Sequence, residues 1–507
     1  MNACAQTPAK KNKDVVPVEL IRGPYLQSAT GNSMLIRWRT DVNTRSRIRF
    51  GTTAEKLDMN VDDSALASEH IIHLTGLAPH TKYYYSVEDF NSVLQKDTDN
   101  YFYTLPVAGK EDFYRIGVFG DCGNNSVNQV SVRDAFKNYL GSNYMDSWIL
   151  LGDNAYYTGS DGEFQLKFFS IYKNDLLKKY PLFPSPGNHD YNDRDLHEAK
   201  AQETHQVAYY QNFSMPVNGE AGGVPSHNQA FYSFDIGNVH FLSLDSYGKE
   251  ENEYRIYDTL GPQVQWIKKN LEANQNKGWI VAYWHHPPYT MGSHNSDTEQ
   301  ELVKIRENFI RILERYGVDL ILCGHSHVYE RSRLMKGHYG MEATFDAKQY
   351  NVSSSTGLYD GSANSCPYIE DSAHGTVYVV TGSAGQLGGK EKSFPHDAMF
   401  YSNADIGGAG MLEVQGNRLD FKWVCSDGVI RDHFTMMKGV NRHNVIEAHK
   451  GESITLTASF TGNYLWSNGQ TGKSTTVKPV KKITTLFVKD KQGCLRDNFT
   501  IEVVPSK

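Results

Sequence analysis

Residues 115–123 read Arg115-Ile116-Gly117-Val118-Phe119-Gly120-Asp121-Cys122-Gly123, an apolar run that ends at an acidic residue between glycines. A short apolar run closed by glycine fits a strand buried on both faces, as in parallel sheets. The pattern repeats outward from it. Val127 to Leu140 has helical spacing, Ser147-Trp148-Ile149-Leu150-Leu151 is a second buried strand, and Gly152-Asp153-Asn154-Ala155-Tyr156 follows it. The strand Val239 to Leu244, a helix from Pro262 to Ala273, the strand Trp279 to Trp284, a helix from Thr298 to Tyr316 and the strand Val318 to Leu322 continue the alternation. Strands alternating with helices predict an α/β domain. Beyond Gly375, Thr376 to Thr381 and a hairpin over Met411 to Val424, turning at Gln415-Gly416-Asn417, extend its sheets.

Ligands of α/β sheets bind beyond the carboxyl ends of the strands, so the residues at those ends carry the functional information. Besides the two loops already quoted, Gly187-Asn188-His189-Asp190 follows Phe183-Pro184-Ser185-Pro186, His285-His286-Pro287-Pro288 follows Trp284, and Cys323-Gly324-His325-Ser326-His327 follows Leu322. One such loop alone is an ordinary cap or turn. Five in succession gather carboxylate, imidazole and amide donors on one face, a set suited to hard or borderline ions such as Fe, Mn or Zn. Two such ions about 3.5–4 Å apart clamp phosphoryl oxygens and acidify a bridging water.

The series resembles that of the metallophosphoesterases. Tyr156, three residues after Asp153, and His327-Val328-Tyr329-Glu330-Arg331 narrow the likeness to the purple acid phosphatases, whose Gly-His-x-His-x-Tyr-Glu-Arg signature it is similar to. The resemblance covers roughly residues 20 to 440. It implies an α/β fold built as a four-layer sandwich, two mixed β-sheets flanked by helices. It also implies Asp121, Asp153, Tyr156 and His327 as ligands of Fe(III), and Asp153, Asn188, His285 and His325 as ligands of a divalent Zn, Mn or Fe, with Asp153 as the bridge. His189 then corresponds to the histidine that contacts phosphate and protonates the leaving alkoxide, and His294 to a second substrate-facing histidine. Tyr157 reads as packing, His286 as a support beside a ligand, and Cys122 and Cys323 as buried, inert thiols. Asp190 stands where plant relatives usually carry Glu. The implied activity is acid phosphatase action on small phosphate monoesters through a metal-bound hydroxide. A phosphodiesterase on the same site and a catalytically silent surface-binding protein are the alternatives.

The flanks read as β modules. From Val18 to Pro106 short alternating segments predict a small sandwich, and Leu74-Thr75-Gly76-Leu77-Ala78-Pro79 leading into Tyr83-Tyr84-Tyr85 resembles a fibronectin type III corner. A pattern beginning near Val445 resembles the immunoglobulin-like modules that end exported bacterial proteins. The expected division is a tail over 1–17, the fibronectin-like domain over 18–106, the catalytic domain over 107–440 and the C-terminal β-sandwich over 441–507. Arg333 to Ser372 shows no periodic pattern, and a long irregular loop predicts a position near the site. Cys4, Cys122, Cys323, Cys366, Cys425 and Cys494 form no CxxC pair and define no disulfide framework. Met1-Asn2-Ala3-Cys4-Ala5-Gln6 resembles the end of a bacterial lipobox, giving the expectation of a lipid anchor at Cys4 and a secreted or cell-envelope location. The 507 residues carry 51 Lys+Arg against 58 Asp+Glu, a net charge of −7 that argues against nucleic acid as a partner. No apolar run of about 18 residues is long enough to cross a bilayer.

Overall fold

The computed structural model describes residues 17–194, 198–370 and 374–505. The strands read first in the sequence lie in the middle of two mixed sheets. In the larger sheet Phe113–Phe119 runs parallel to Ser147–Leu151, which is parallel to Leu182–Ser185, while Gly408–Gln415 pairs antiparallel on the other side. The second sheet places Tyr232–Ile236, Val239–Ser243, Trp279–Trp284, Leu320–Cys323, Val377–Thr381, Tyr329–Ser332 and Met399–Asn403 side by side.

Alternation along the strands explains the layering. Phe241, Val281, Tyr283 and Leu322 point into one core shared with Val118, Ile149 and Phe183 of the larger sheet. Their neighbours Leu242, Ile280, Ala282, Trp284 and Ile321 face a second core closed by Val264, Ile267 and Leu271 of the helix Pro262–Ala273 and by Phe309 and Leu313. Helix Val127–Leu140 begins where the Ser126 hydroxyl accepts from Gln129 N and stops at Gly141, whose φ is 58°. The predicted helix over 298–316 spans Gln300 to Arg315, with a widened turn at Ile305–Phe309.

Three features depart from the sequence reading. Helical turns run from Asp161 to Leu177, where no element was predicted; their Phe169 packs on Tyr25 and Arg22 of the N-terminal module, while Phe168 meets Trp148 and Phe164 meets Phe213. The segment 333–372 starts at the end of the second sheet opposite the ligand loops, because Tyr329–Ser332 runs antiparallel to Val377–Thr381. Only its stretch near Glu342 climbs back, the Glu342 amide donating to Asp297 (2.8 Å), whereas Tyr359 and Cys366 reach the C-terminal module. Cys366 and Cys494, assigned to no framework, form a disulfide across 128 residues. Cys4 lies outside the described residues.

In the N-terminal module the long strands Ser33–Gly51 and Met59–Thr75 pair along most of their length. Leu20–Gln27 joins this sheet to the catalytic one through Gln27 beside Leu182. The C-terminal strands form separate four- and two-stranded sheets around a core of their own that includes Trp466, Phe499 and Ile501.

Candidate metal centre

Each of the five quoted loops leaves the carboxyl end of a buried strand, and the model brings their predicted ligands together. Asp121, Asp153 and His325 take left-handed backbone conformations, with φ of 56°, 52° and 67°. Such geometry costs on the order of 1 kcal/mol or more for a residue with a Cβ and recurs where function demands it. Adjacent glycines let the loops approach. A Cβ on Gly187 would lie 2.2 Å from Asp153 Oδ1, and one on Gly324 2.5 Å from Asp121 Oδ2.

Two half-sites result. In one, Tyr156 Oη lies 2.9 Å from Asp121 Oδ1 and 3.3 Å from His327 Nε2. In the other, His285 Nε2 lies 3.3 Å from Asp153 Oδ2 and 3.2 Å from His325 Nδ1. His285 Nδ1 donates to the Leu151 carbonyl (2.8 Å), which leaves Nε2 free to ligate. Donor atoms of Asp121, Asp153 and His285 all fall within 4.8 Å of one another, and all three side chains are buried. Asn188 Oδ1 is buried without a hydrogen-bond partner while its Nδ2 donates to Asp193 (2.8 Å). Converging lone pairs and an orphaned carbonyl oxygen fit a bound cation and are costly without one.

Electrostatics agree. Burial pushes the Asp121 carboxyl up, and the neighbouring Asp153 adds to the shift. Asp153 is equally buried, yet His285 and His189 outweigh desolvation and hold it well below the usual carboxylate range. Although burial opposes it, Asp153 and Asp193 raise His189 to about 9.

His189 stands beside the centre, its Nε2 3.8 Å from Asp153 Oδ2. His294 stacks on His325 with ring centroids 3.6 Å apart, and Glu299 accepts from its Nδ1 (2.9 Å). His286 turns away, its Nδ1 2.8 Å from Ser246 Oγ. Cys122 and Cys323 are buried free thiols raised by desolvation. Tyr157, read as packing, is instead 43% exposed, with its ring 6.0 Å from His189 and Arg194 over its face. Asp190 faces inward and accepts from Asn154 Nδ2 and Gly187 N (both 2.8 Å), tying two ligand loops together.

Sequence reading missed Asp193 and Glu299, which hold ligand and histidine neighbours. Each lies a few residues beyond a ligand-type histidine, and that carboxylate spacing was the available signal.

A model of the calcineurin-like phosphoesterases matches residues 114–329, and a model of the purple acid phosphatase N-terminal domain matches 23–104. Purple acid phosphatase 15 of Arabidopsis thaliana is 30% identical over 52% of this chain and 49% of its own length, so the match spans about half of that relative. Acid phosphatase type 7 of Danio rerio is 26% identical over 80% of this chain and 88% of its own length. A purple acid phosphatase structure from yellow lupin seeds superimposes with a TM-score of 0.61 at 17% identity, covering 82% of this chain and 74% of that one, which shows the shared fold.

Proposed function

Because the chain belongs to the calcineurin-like metallophosphoesterases, in the purple acid phosphatase group, we propose that it hydrolyses small phosphate monoesters at a dinuclear Fe(III)–M(II) centre, with M being Zn, Mn or Fe. The observation that carries this reading is the convergence of buried Asp121, Asp153, Tyr156, Asn188, His285 and His325 with the half-buried His327, Asn188 Oδ1 being left without a partner. Asp121 and Tyr156 supply the anionic oxygens of one half-site, a donor pair that suits a trivalent ion, while His285, His325 and Asn188 supply neutral donors to the other. Asp153 lies between them. When bound, such ions neutralise phosphoryl charge and activate water.

The residues around the centre supply the rest. His189 presents Nε2 toward the centre and, as its imidazolium, donates the proton that the leaving alkoxide needs. His294, held by Glu299, faces the same space from the opposite side and donates to a phosphoryl oxygen. A silent binding protein has no use for a complete donor set.

The disulfide between Cys366 and Cys494 supports a secreted or cell-envelope location, since disulfides persist in oxidising compartments. The lipid anchor at Cys4 rests on the sequence resemblance. Among the described residues no helix is long and apolar enough to cross a membrane.

Hydrolysis of p-nitrophenyl phosphate from about pH 4 to 9, beside Asp153→Asn, tests the activity. Turnover by the parent and a loss of at least about 100-fold in the variant support it. A metal-loaded parent no faster than the variant would refute monoesterase action, and activity on bis(p-nitrophenyl) phosphate alone would select the diesterase.

A further inference from the structure

The turn after the Gly-Asn-His loop carries a carboxylate that the reaction does not directly require. His189–Tyr191 forms a single tight turn, and Asn192 closes it in a left-handed conformation (φ 58°) with its amide donating to the His189 carbonyl. That reversal brings Asp193 back over residues 188 and 189. Its Oδ2 accepts from Asn188 Nδ2 at 2.8 Å, and its Oδ1 pairs by charge with His189 Nδ1 at 2.9 Å, while the Nδ1 hydrogen bond itself goes to the Tyr157 carbonyl (2.9 Å).

Both contacts resolve an ambiguity of side-chain chemistry. An amide presents an acceptor or a donor depending on a half-turn about its last bond, and only the acceptor can ligate a cation. A carboxylate on Nδ2 fixes that choice, and Oδ1 is accordingly the buried atom without a partner. An imidazole carries a neutral-state proton on either nitrogen. The Tyr157 carbonyl accepts at Nδ1 and the Asp193 carboxylate lies against the same nitrogen, so a negative charge holds the ring in the orientation that aims Nε2 at the centre, where Asp153 Oδ2 lies 3.8 Å away.

We propose that Asp193 is the positioning residue of the Gly-Asn-His loop, setting the Asn188 amide for metal ligation and the His189 ring for proton donation. This rests on the phosphoesterase reading for its kinetic half and on geometry alone for its metal half. Glu299 stands in a parallel position across the site, 2.9 Å from His294 Nδ1 and 3.4 Å from His325 Nε2. The divalent half of the centre thus has two carboxylates, each shared between a candidate ligand and a neighbouring histidine that faces the substrate.

Two variants separate the two contacts. Asp193→Ala frees both partners. Asp193→Asn can still accept from Asn188 Nδ2 through its own oxygen, but it sets an amide donor against His189 Nδ1. Divalent-metal affinity is read by metal analysis after graded EDTA challenge, with circular dichroism as the folding control. Metal affinity of Asp193→Ala should fall about 10- to 100-fold with its spectrum unchanged, the usual effect of losing an outer-shell partner. Asp193→Asn should hold metal within about threefold of the parent, while kcat drops about 10-fold or more with KM little changed. Parent-like metal affinity in folded Asp193→Ala would overturn the proposal, as would full kcat in Asp193→Asn. The metal measurement needs no turnover, so failure of the phosphoesterase reading would appear separately, as an inactive parent whose metal affinity still depends on Asp193.

Discussion

The two flanking β modules meet the catalytic body by different physics. On the N-terminal side Tyr25 and Trp38 belong to the same core as Trp148, Phe168 and Phe169. The fully buried Arg22 lies 4.0 Å over the Phe169 ring and donates to Asn212 (2.5 Å), Gln165 (2.8 Å) and Asp161 (3.0 Å). Arg39 grips the same Asp161 through both carboxylate oxygens. On the C-terminal side the module's core is separate from that shared one, although Met437 and Val440 belong to it and Tyr359 and Ile369 pack against it. Its ties to the catalytic body include the Cys366–Cys494 disulfide, Tyr359 to Asp490 (3.1 Å) and Asn417 to the Ser459 carbonyl (2.8 Å). A shared core makes two units fold together, whereas a tether only keeps them near each other.

The difference reaches the metal centre. Asp161 opens the helical stretch whose Glu163 accepts from the Tyr157 and Thr158 amides and whose Lys167 donates to the Tyr156 carbonyl. The N-terminal module therefore braces the loop that carries Tyr156. No comparable route from the C-terminal module ends at a ligand loop among the described residues.

Removing residues 18–106 should have the largest effect: the remainder should fail to give a cooperative melt, because one side of a continuous core is exposed. Removing 441–507 from a Cys366→Ser background should instead leave p-nitrophenyl phosphate hydrolysis within about threefold, as expected of a separately folded unit. Equal losses in both would break the contrast. Next comes Arg22→Ala, which strands Asn212 and leaves space over Phe169; denaturant melts should show a loss of about 3 kcal/mol. Glu163→Gln weakens the hold on the Tyr157 and Thr158 amides, and kcat should fall several-fold with the melting temperature little changed, a split visible in parallel kinetics and calorimetry.

Acid should act on the same joint. Burial raises Asp161, but the Arg39 and Arg22 hydrogen bonds overcome it and hold the carboxyl below its usual value. A lowered folded pKa contributes stability above the unfolded value of about 4, lost as pH falls through that range. The parent should thus lose stability below about pH 4 more steeply than Asp161→Asn in melts across pH. The smallest effect is expected from Cys494→Ser, which should raise protease sensitivity of 441–505 and change kcat less than twofold, a result read by limited proteolysis beside kinetics.

Much of this was legible in the sequence. The helices at 127–140 and 262–273 match the reading residue for residue because Ser126, Gly141 and Gly261-Pro262 punctuate them. The candidate ligands stood out because Asp, Asn and His at buried-strand ends have few other reasons to recur. The stretch 161–177 was hidden because its apolar residues answer to the N-terminal module and the catalytic body alike and show no one-sided pattern of their own. Asp193 escaped because its partners depend on a left-handed residue at 192, and the Cys366–Cys494 pair because 128 residues separate its members.

The pairing of Gln27 with Leu182 has a consequence in time. These two residues are about 155 positions apart, so a ribosome has released the whole N-terminal module long before its sheet can gain the neighbouring strand. Until then Arg22, Tyr25 and the edge of Leu20–Gln27 have no Asn212 or Phe169 to meet, and the nascent module presents an open, adhesive border. Synthesis of this protein should accordingly be most vulnerable to misassembly in the interval between emergence of residue 27 and emergence of residue 213, when a holding chaperone would find the most to cover.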